Sequence, residues 1–221
     1  MINTLDHYIC ESLPEEGEFS TNPNLRKKVD EKGRFLPFRG NTTVFLLDDE
    51  TKAKLQKLQQ SLYDAAGEML AGKLEPATFH LTLHDLVNGP EGAPGLEENM
   101  AALKAGVKQM LACWQGMPPL KMHTTWLFNM VNTSIVLGLA PSDEDSRSRL
   151  DKMYESLEEV VRLGYAMTPH ITMAYFLPGT YSQEKISSLR AALKPVDMNV
   201  ELRVEDLVYQ IFQDMNHYKT E

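Results

Sequence analysis

The chain has 221 residues and a mass of 25.0 kDa, with 22 basic and 31 acidic side chains and a formal net charge of −9. A hydrophobic content of 43% and a charged content of 24% are ordinary for a globular protein and exclude collagen-like, disordered and coiled-coil classes. The acidic excess repels a nucleic-acid backbone, which disfavours duplex DNA and long RNA as partners. A small anionic ligand held by a few local donors is compatible with it.

Location and redox environment also follow from the composition. The N-terminal sequence lacks a basic start and an apolar run, and no stretch approaches the roughly 20 apolar residues of a membrane helix. The two cysteines, Cys10 and Cys113, are too few for a disulfide framework or a Cys-rich zinc site. We therefore expect a cytoplasmic protein with no membrane contact.

The predicted elements begin after an irregular arm. Residues 1–39 mix charges, Pro and Gly without a period, and we expect them to pack over a single bilobal domain at 40–221. The first lobe, about 40–130, has the order strand, helix, strand, helix, strand. Its strands are NTTVFLL, FHLTLHDL and MHTTWLF, and its helices begin after Asp48 and near Leu96.

The second lobe, about 131–221, repeats this order. Its strands are TSIVLGL and PHITMAYF, followed by MNVELRV and LVYQIFQ, and its helices are predicted to be capped by Ser142 and Ser182. The spacing from Val44 to His80 nearly equals that from Ile135 to His170. Two units of matching order predict a duplicated α+β fold with helices flanking the sheets and a cleft between equivalent strands.

Two of the predicted strands carry a His-x-Thr pattern at the same place in the repeat. Side chains alternate along a strand, so His80 and Thr82 share one face, as do His170 and Thr172. If these strands face each other, two imidazoles and two hydroxyls converge on the cleft. One neutral histidine can then accept a proton while the other, protonated, donates one, and the hydroxyls can bind phosphate oxygens. This chemistry is phosphodiester cleavage without a metal or other cofactor.

These motifs resemble those of the two-histidine (2H) phosphoesterase superfamily, which includes the LigT-like RNA ligase and cyclic phosphodiesterase enzymes. The segment GRFLPFRGNTTVFLL further resembles a bacterial and fungal branch with a Gly-Asn-Thr stretch before the first strand. The resemblance covers roughly residues 33–213. It implies antiparallel sheets in both lobes, with His80 and His170 as acid and base and Thr82 and Thr172 as phosphate ligands.

Four further residues are candidates for substrate binding. Arg39 and Asn41 belong to the Gly-Asn-Thr stretch, His84 lies on the predicted face of His80, and Tyr175 follows the second motif. The alternatives are an exposed arm arginine for Arg39, a polar histidine at the cleft edge for His84 and packing for Tyr175. A metal at His84 is disfavoured, because the neighbouring carboxylate or Cys ligands of a zinc site are missing.

The sequence thus predicts a metal-independent phosphodiesterase for a small nucleotide-type substrate, such as a 2′,3′-cyclic or 2′-5′-linked phosphodiester. The alternative is a binding module that holds a nucleotide or a short RNA end in the same cleft without turnover. A third His-x-Thr, at His123, lies in a predicted strand that has no counterpart in the second half.

Overall fold

The computed structural model describes residues 13–221, which form ten strands and four α-helices. The helices are α1 (Asp49–Ala66), α2 (Leu96–Trp114), α3 (Glu144–Glu158) and α4 (Gln183–Ala192). The strands are β1 (Phe19–Ser20), β2 (Phe38–Leu46), β3 (His80–Pro90), β4 (Leu120–Met130), β5 (Ser134–Pro141), β6 (His170–Tyr175), β7 (Thr180–Tyr181), β8 (Asn199–Leu202), β9 (Leu207–Asp214) and β10 (His217–Thr220). Within this part of the chain, no helix has both the length and the apolar composition needed to cross a membrane.

Two four-stranded antiparallel sheets dominate the architecture. The first has the strand order β10-β9-β2-β3 and the second the order β6-β5-β4-β8. The edge strands β3 and β6, which carry the two His-x-Thr motifs, lie next to each other. The predicted α+β class, with antiparallel sheets flanked by helices, is confirmed.

The division of the chain between the sheets differs from the predicted lobes at 40–130 and 131–221. Strand β4, predicted to close the first lobe, belongs to the second sheet. The reason is a tight turn in which Val131 (φ 45°) and Asn132 (φ 58°) join β4 directly to β5, and strands joined in this way pair as a hairpin. In the other direction, β9 pairs with β2 and β10 pairs with β9, so the C-terminal strands complete the first sheet.

The helices follow their predicted apolar stripes. In α1, the Asp48 carboxylate accepts the Thr51 N–H at 2.7 Å, and Leu55 and Leu62 are buried on the inner face. Helix α3 begins one residue later than predicted. Asp143, not Ser142, is the N-cap, because its carboxylate accepts the Ser146 N–H at 2.8 Å.

The described part of the N-terminal arm, residues 13–39, contacts both lobes, with the Gly33 carbonyl accepting the Gly72 N–H of the first lobe at 2.8 Å. Residues 1–12 of the predicted arm lie outside the described residues. Strand β1 pairs with β7, and the Asn22 N–H donates to the carbonyl of Asn132 at 2.9 Å. The arm ends earlier than predicted, because β2 begins at Phe38. Buried apolar side chains of both sheets and of the arm form one connected cluster, so the two lobes share a core.

Candidate active site

The two His-x-Thr motifs line one cavity. His80 and Thr82 of β3 and His170 and Thr172 of β6 all contribute to a cleft of about 480 Å³ between the sheets. All four side chains are partly exposed, whereas the residues between them in each motif are fully buried. Alternation along the strand therefore brings the predicted quartet together.

A β-bulge follows each motif at the equivalent place. On β3, Thr82 pairs with Val44 but His84 pairs with Thr43, so Leu83 is the extra residue. The second sheet has the same irregularity, with Thr172 opposite Val136, Ala174 opposite Ile135, and Met173 between them. Because a bulge adds one residue, the alternation restarts with the opposite phase beyond it.

The restarted alternation sends a different pair of side chains into the cleft. Asp85 of the first repeat and Tyr175 of the second occupy equivalent positions, and both line the cavity. Tyr175 was predicted, whereas Asp85 was missed. Aligning the two repeats places Asp85 opposite Tyr175, and that correspondence is the sequence signal that would have identified it.

The two imidazoles are held in the same way. Nδ1 of His80 lies 2.7 Å from the carbonyl oxygen of Thr78, and Nδ1 of His170 lies 2.6 Å from that of Thr168. A carbonyl oxygen only accepts, so each Nδ1 carries the hydrogen and donates it. This leaves Nε2 of both rings for the cleft, as a base when neutral and as an acid when protonated. Tyr218 packs its ring against His80 with a centroid separation of 4.9 Å.

The electrostatics of the cleft favour neutral histidines. Burial lowers the pKa of His80 to about 4, while the hydrogen bond to Thr78 and the Asp85 carboxylate raise it in part. Burial also lowers the pKa of His170, again opposed by the backbone hydrogen bond and by Asp85. The charge of protonated His170 also lowers the pKa of His80.

A second charged side chain in the cleft was not predicted. Lys28, from the N-terminal arm, lines the cavity, and its Nζ lies 4.8 Å from the centroid of the Phe38 ring. No local pattern in the sequence points to this lysine, because the arm reaches the cleft only through its tertiary contacts.

His84 and Tyr175 line the cavity, but both are engaged by protein groups. His84 is 1% exposed, and its Nε2 lies 3.1 Å from the Glu158 carboxylate of the other lobe. Because of the bulge at Leu83, the His84 side chain does not lie on the strand face of His80 and Thr82. The prediction that His80 and His84 share one face is therefore wrong. The Tyr175 hydroxyl donates to the sulfur of Met215 at 3.0 Å, and burial raises its pKa.

Arg39 and Asn41, both predicted to bind substrate, do not line the cleft that holds the quartet, although Arg39 lines a neighbouring pocket to which His80 also contributes. Arg39 forms a bidentate ion pair with Glu97 on the surface. Asn41 is fully buried in a bulge between β2 and β3. Its Oδ1 accepts the Val87 N–H at 2.8 Å and its Nδ2 donates to the Tyr209 hydroxyl at 2.8 Å. Asn41 therefore satisfies backbone and core groups that the irregular register leaves unpaired.

The third His-x-Thr and the glycine of the Gly-Asn-Thr stretch lie outside the cleft. His123, in the third His-x-Thr, does not line the cleft, and its Nδ1 lies 3.3 Å from the Ser142 hydroxyl. Gly40 lies where any Cβ would meet the Phe212 ring at 2.4 Å and the Val87 carbonyl at 2.6 Å, so the Gly-Asn-Thr stretch serves close packing of the first sheet. Within residues 13–221, no three His, Cys, Asp or Glu side chains are arranged to hold a metal ion.

Comparisons with known proteins identify similar folds. No family model and no curated protein matches the sequence. Among solved structures, ATU0111 from Agrobacterium tumefaciens, a conserved protein of unknown function, is similar with a TM-score of 0.65 and 18% identity, over 92% of this chain and 93% of that one.

Two further structures are more distant. TT0787 of Thermus thermophilus has a TM-score of 0.48 and 13% identity, over 82% of this chain and 94% of that one. Escherichia coli LigT, solved in complex with NADP+, has a TM-score of 0.39 and 13% identity, over 79% of this chain and 87% of that one. The fold of this chain is thus similar to that of ATU0111 over nearly the whole length of both chains, and both His-x-Thr motifs of this chain lie on its cleft strands.

Proposed function

We propose that the protein is a metal-independent phosphodiesterase that hydrolyses a small nucleotide-type phosphodiester. The observation that carries this proposal is the matched pair of imidazoles. His80 and His170 face one cleft from equivalent strands, and a backbone carbonyl fixes each ring with Nε2 available. Binding alone needs neither a second histidine nor this control of the tautomer, so the arrangement favours catalysis over the alternative of a binding module.

The chemistry needs one proton shared by the two histidines. The neutral Nε2 of one ring takes a proton from the attacking water, and the protonated Nε2 of the other gives a proton to the leaving oxygen. The hydroxyls of Thr82 and Thr172 donate hydrogen bonds to the non-bridging oxygens, on which negative charge increases in the transition state. Each lost donor of this type costs about 10²–10³-fold in rate in other enzymes.

The substrate itself favours the protonated form. Burial lowers the pKa of both histidines in the free cleft, and an anionic phosphodiester placed between them opposes that effect. The active protonation state is then most stable when substrate is bound. A cleft of about 480 Å³ suits a nucleotide-sized ligand, and the net charge of −9 disfavours a long polyanion. A 2′,3′-cyclic or 2′-5′-linked phosphodiester fits these limits.

Single substitutions test the proposal. His80→Ala and His170→Ala are each expected to lower kcat by about 10²–10⁴-fold on a nucleoside 2′,3′-cyclic phosphate, the usual range for loss of an acid or base. His123→Ala is the matched control, because His123 also begins a His-x-Thr but lies outside the cleft. Full activity in either cleft variant refutes the proposal, and loss of wild-type activity with EDTA would indicate a metallohydrolase. Tight nucleotide binding with no product after long incubation would favour the binding module.

A further inference from the structure

Lys28 is a basic side chain in the cleft to which the reaction above gives no role. It lines the same cavity as the two histidines and lies over the Phe38 ring, a contact in which the ring face attracts the ammonium group. Across residues 13–221, Lys28 forms no ion pair within 4.0 Å.

The backbone at Lys28 is fixed, so the side chain is not part of a loose tail. Its N–H donates to the carbonyl of Leu25 at 2.8 Å, and its carbonyl accepts the Leu36 N–H at 2.9 Å. The next residue, Val29, is fully buried and forms a β-bridge with Phe35. The arm therefore holds this lysine at the cleft.

The surroundings of Lys28 leave its charge incompletely compensated. Burial lowers its pKa, and the Asp85 carboxylate raises it only in part. A desolvated ammonium group without a close anion is unfavourable, and a ligand anion at this position would relieve the cost.

Lys28 lies far along the sheet from the histidines. On β2, Leu46 is beside His80 and Thr42 is beside Asp85, while Phe38 is at the start of the strand. At about 3.3 Å per residue, Thr42 and Phe38 lie about 13 Å and about 26 Å from Leu46 along β2, although curvature of the sheet shortens the direct distances. The ammonium group therefore packs over a side chain at the opposite end of β2 from Leu46, the residue beside His80, and is separated from the imidazoles along that strand.

We propose that Lys28 binds a second anionic group of the substrate. This inference rests on the proposed function, and it narrows the substrate class to nucleotides that carry a further phosphate away from the scissile phosphodiester. A nucleoside 2′,3′-cyclic phosphate with a 5′-diphosphate has the required arrangement. In this assignment the quartet holds the reacting phosphorus, and Lys28 sets which nucleotides enter.

Calorimetric titration with two product-like ligands tests this role without turnover. The ligands are a nucleoside 2′-phosphate and the same compound with a 5′-diphosphate. The wild-type protein is expected to bind the second about ten-fold more tightly, the typical effect of a hydrogen bond to a charged group. Lys28→Met, of similar length, is expected to lose this preference, and Lys28→Arg to keep it. Lys27→Met is the matched control, because Lys27 is the exposed neighbour in the same arm.

The outcomes separate this inference from the proposed function. Equal affinity of the wild-type protein for both ligands, or an unchanged preference in a folded Lys28→Met, overturns the role of Lys28 even if the cyclic phosphodiester is hydrolysed. A preference that depends on Lys28 together with no hydrolysis of any phosphodiester supports the second anion site and refutes the phosphodiesterase. Failure of both ligands to bind refutes the second anion site, and the hydrolysis assay then decides the phosphodiesterase separately.

Discussion

Replacing Asn41 with Ala separates a structural role from the substrate-binding role that the sequence suggested. The side chain makes two buried hydrogen bonds, to the Val87 N–H and to the Tyr209 hydroxyl. Each is worth about 1 kcal/mol, and leaving a buried backbone N–H unpaired adds about 1–3 kcal/mol. We expect Asn41→Ala to lower the free energy of unfolding by about 3–5 kcal/mol. In a chain of this length that corresponds to a fall in Tm of roughly 6–20 °C, measured by circular dichroism.

The partner residue provides the control. Tyr209→Phe removes one of the two hydrogen bonds and is expected to cost about 1 kcal/mol, or roughly 2–4 °C. The double variant should lose less unfolding free energy than the two single variants together, because Asn41 and Tyr209 share one hydrogen bond. At a temperature where Asn41→Ala is folded, its KM should equal that of the wild-type protein. An unchanged Tm with a raised KM would refute this reasoning and restore Asn41 as a substrate ligand.

Three further predictions follow from the cleft. The kcat/KM of the wild-type protein should have a bell-shaped pH profile with its maximum below pH 6.5. The reason is that burial lowers the pKa of His80 (to about 4) and of His170, and that the reactive pair holds one proton. A maximum above pH 7 would contradict this prediction. In Asp85→Asn both limbs of that profile should move to lower pH, since the carboxylate raises both pKa values, and unmoved limbs would show that Asp85 does not act on the pair. Glu158→Ala should lower Tm and speed amide hydrogen exchange at Leu163 and Gly164, which follow α3. The Glu158 carboxylate accepts hydrogen bonds from these two N–H groups at 2.9 and 3.2 Å. Unchanged exchange at both residues would rule out this anchoring role.

Regular local patterns explain which parts of the fold were predictable. The apolar stripes of the helices and the alternation in the two motif strands depend on nearest neighbours, so the cleft quartet follows from the sequence once the repeat is found. The exchange of strands between the two sheets cannot be predicted from such local patterns. Whether β4 closes the first lobe or opens the second depends on the turn at Val131 and Asn132, and the partner of β9 is set by contacts with β2 far away in sequence.

The charged residues of the cleft could not be predicted from the sequence for similar reasons. Strict alternation assigns His84 to the face of His80, and only the bulge at Leu83 puts Asp85 there instead. Lys28 lines the cleft because the arm packs against both lobes, and no periodic pattern in the arm sequence predicts that position. The resemblance to a branch with a Gly-Asn-Thr stretch suggested ligand binding, whereas the buried partners of Asn41 show a packing role.

The central claim is that His80 and His170 act as one acid-base unit on a phosphodiester, and the rate of the double variant tests it most directly. Groups that act in the same step are strongly non-additive. We expect His80→Ala, His170→Ala and the double variant to show nearly equal kcat on a nucleoside 2′,3′-cyclic phosphate, each about 10²–10⁴-fold below the wild-type enzyme. Losses that multiply in the double variant, or wild-type activity in either single variant, would contradict the account.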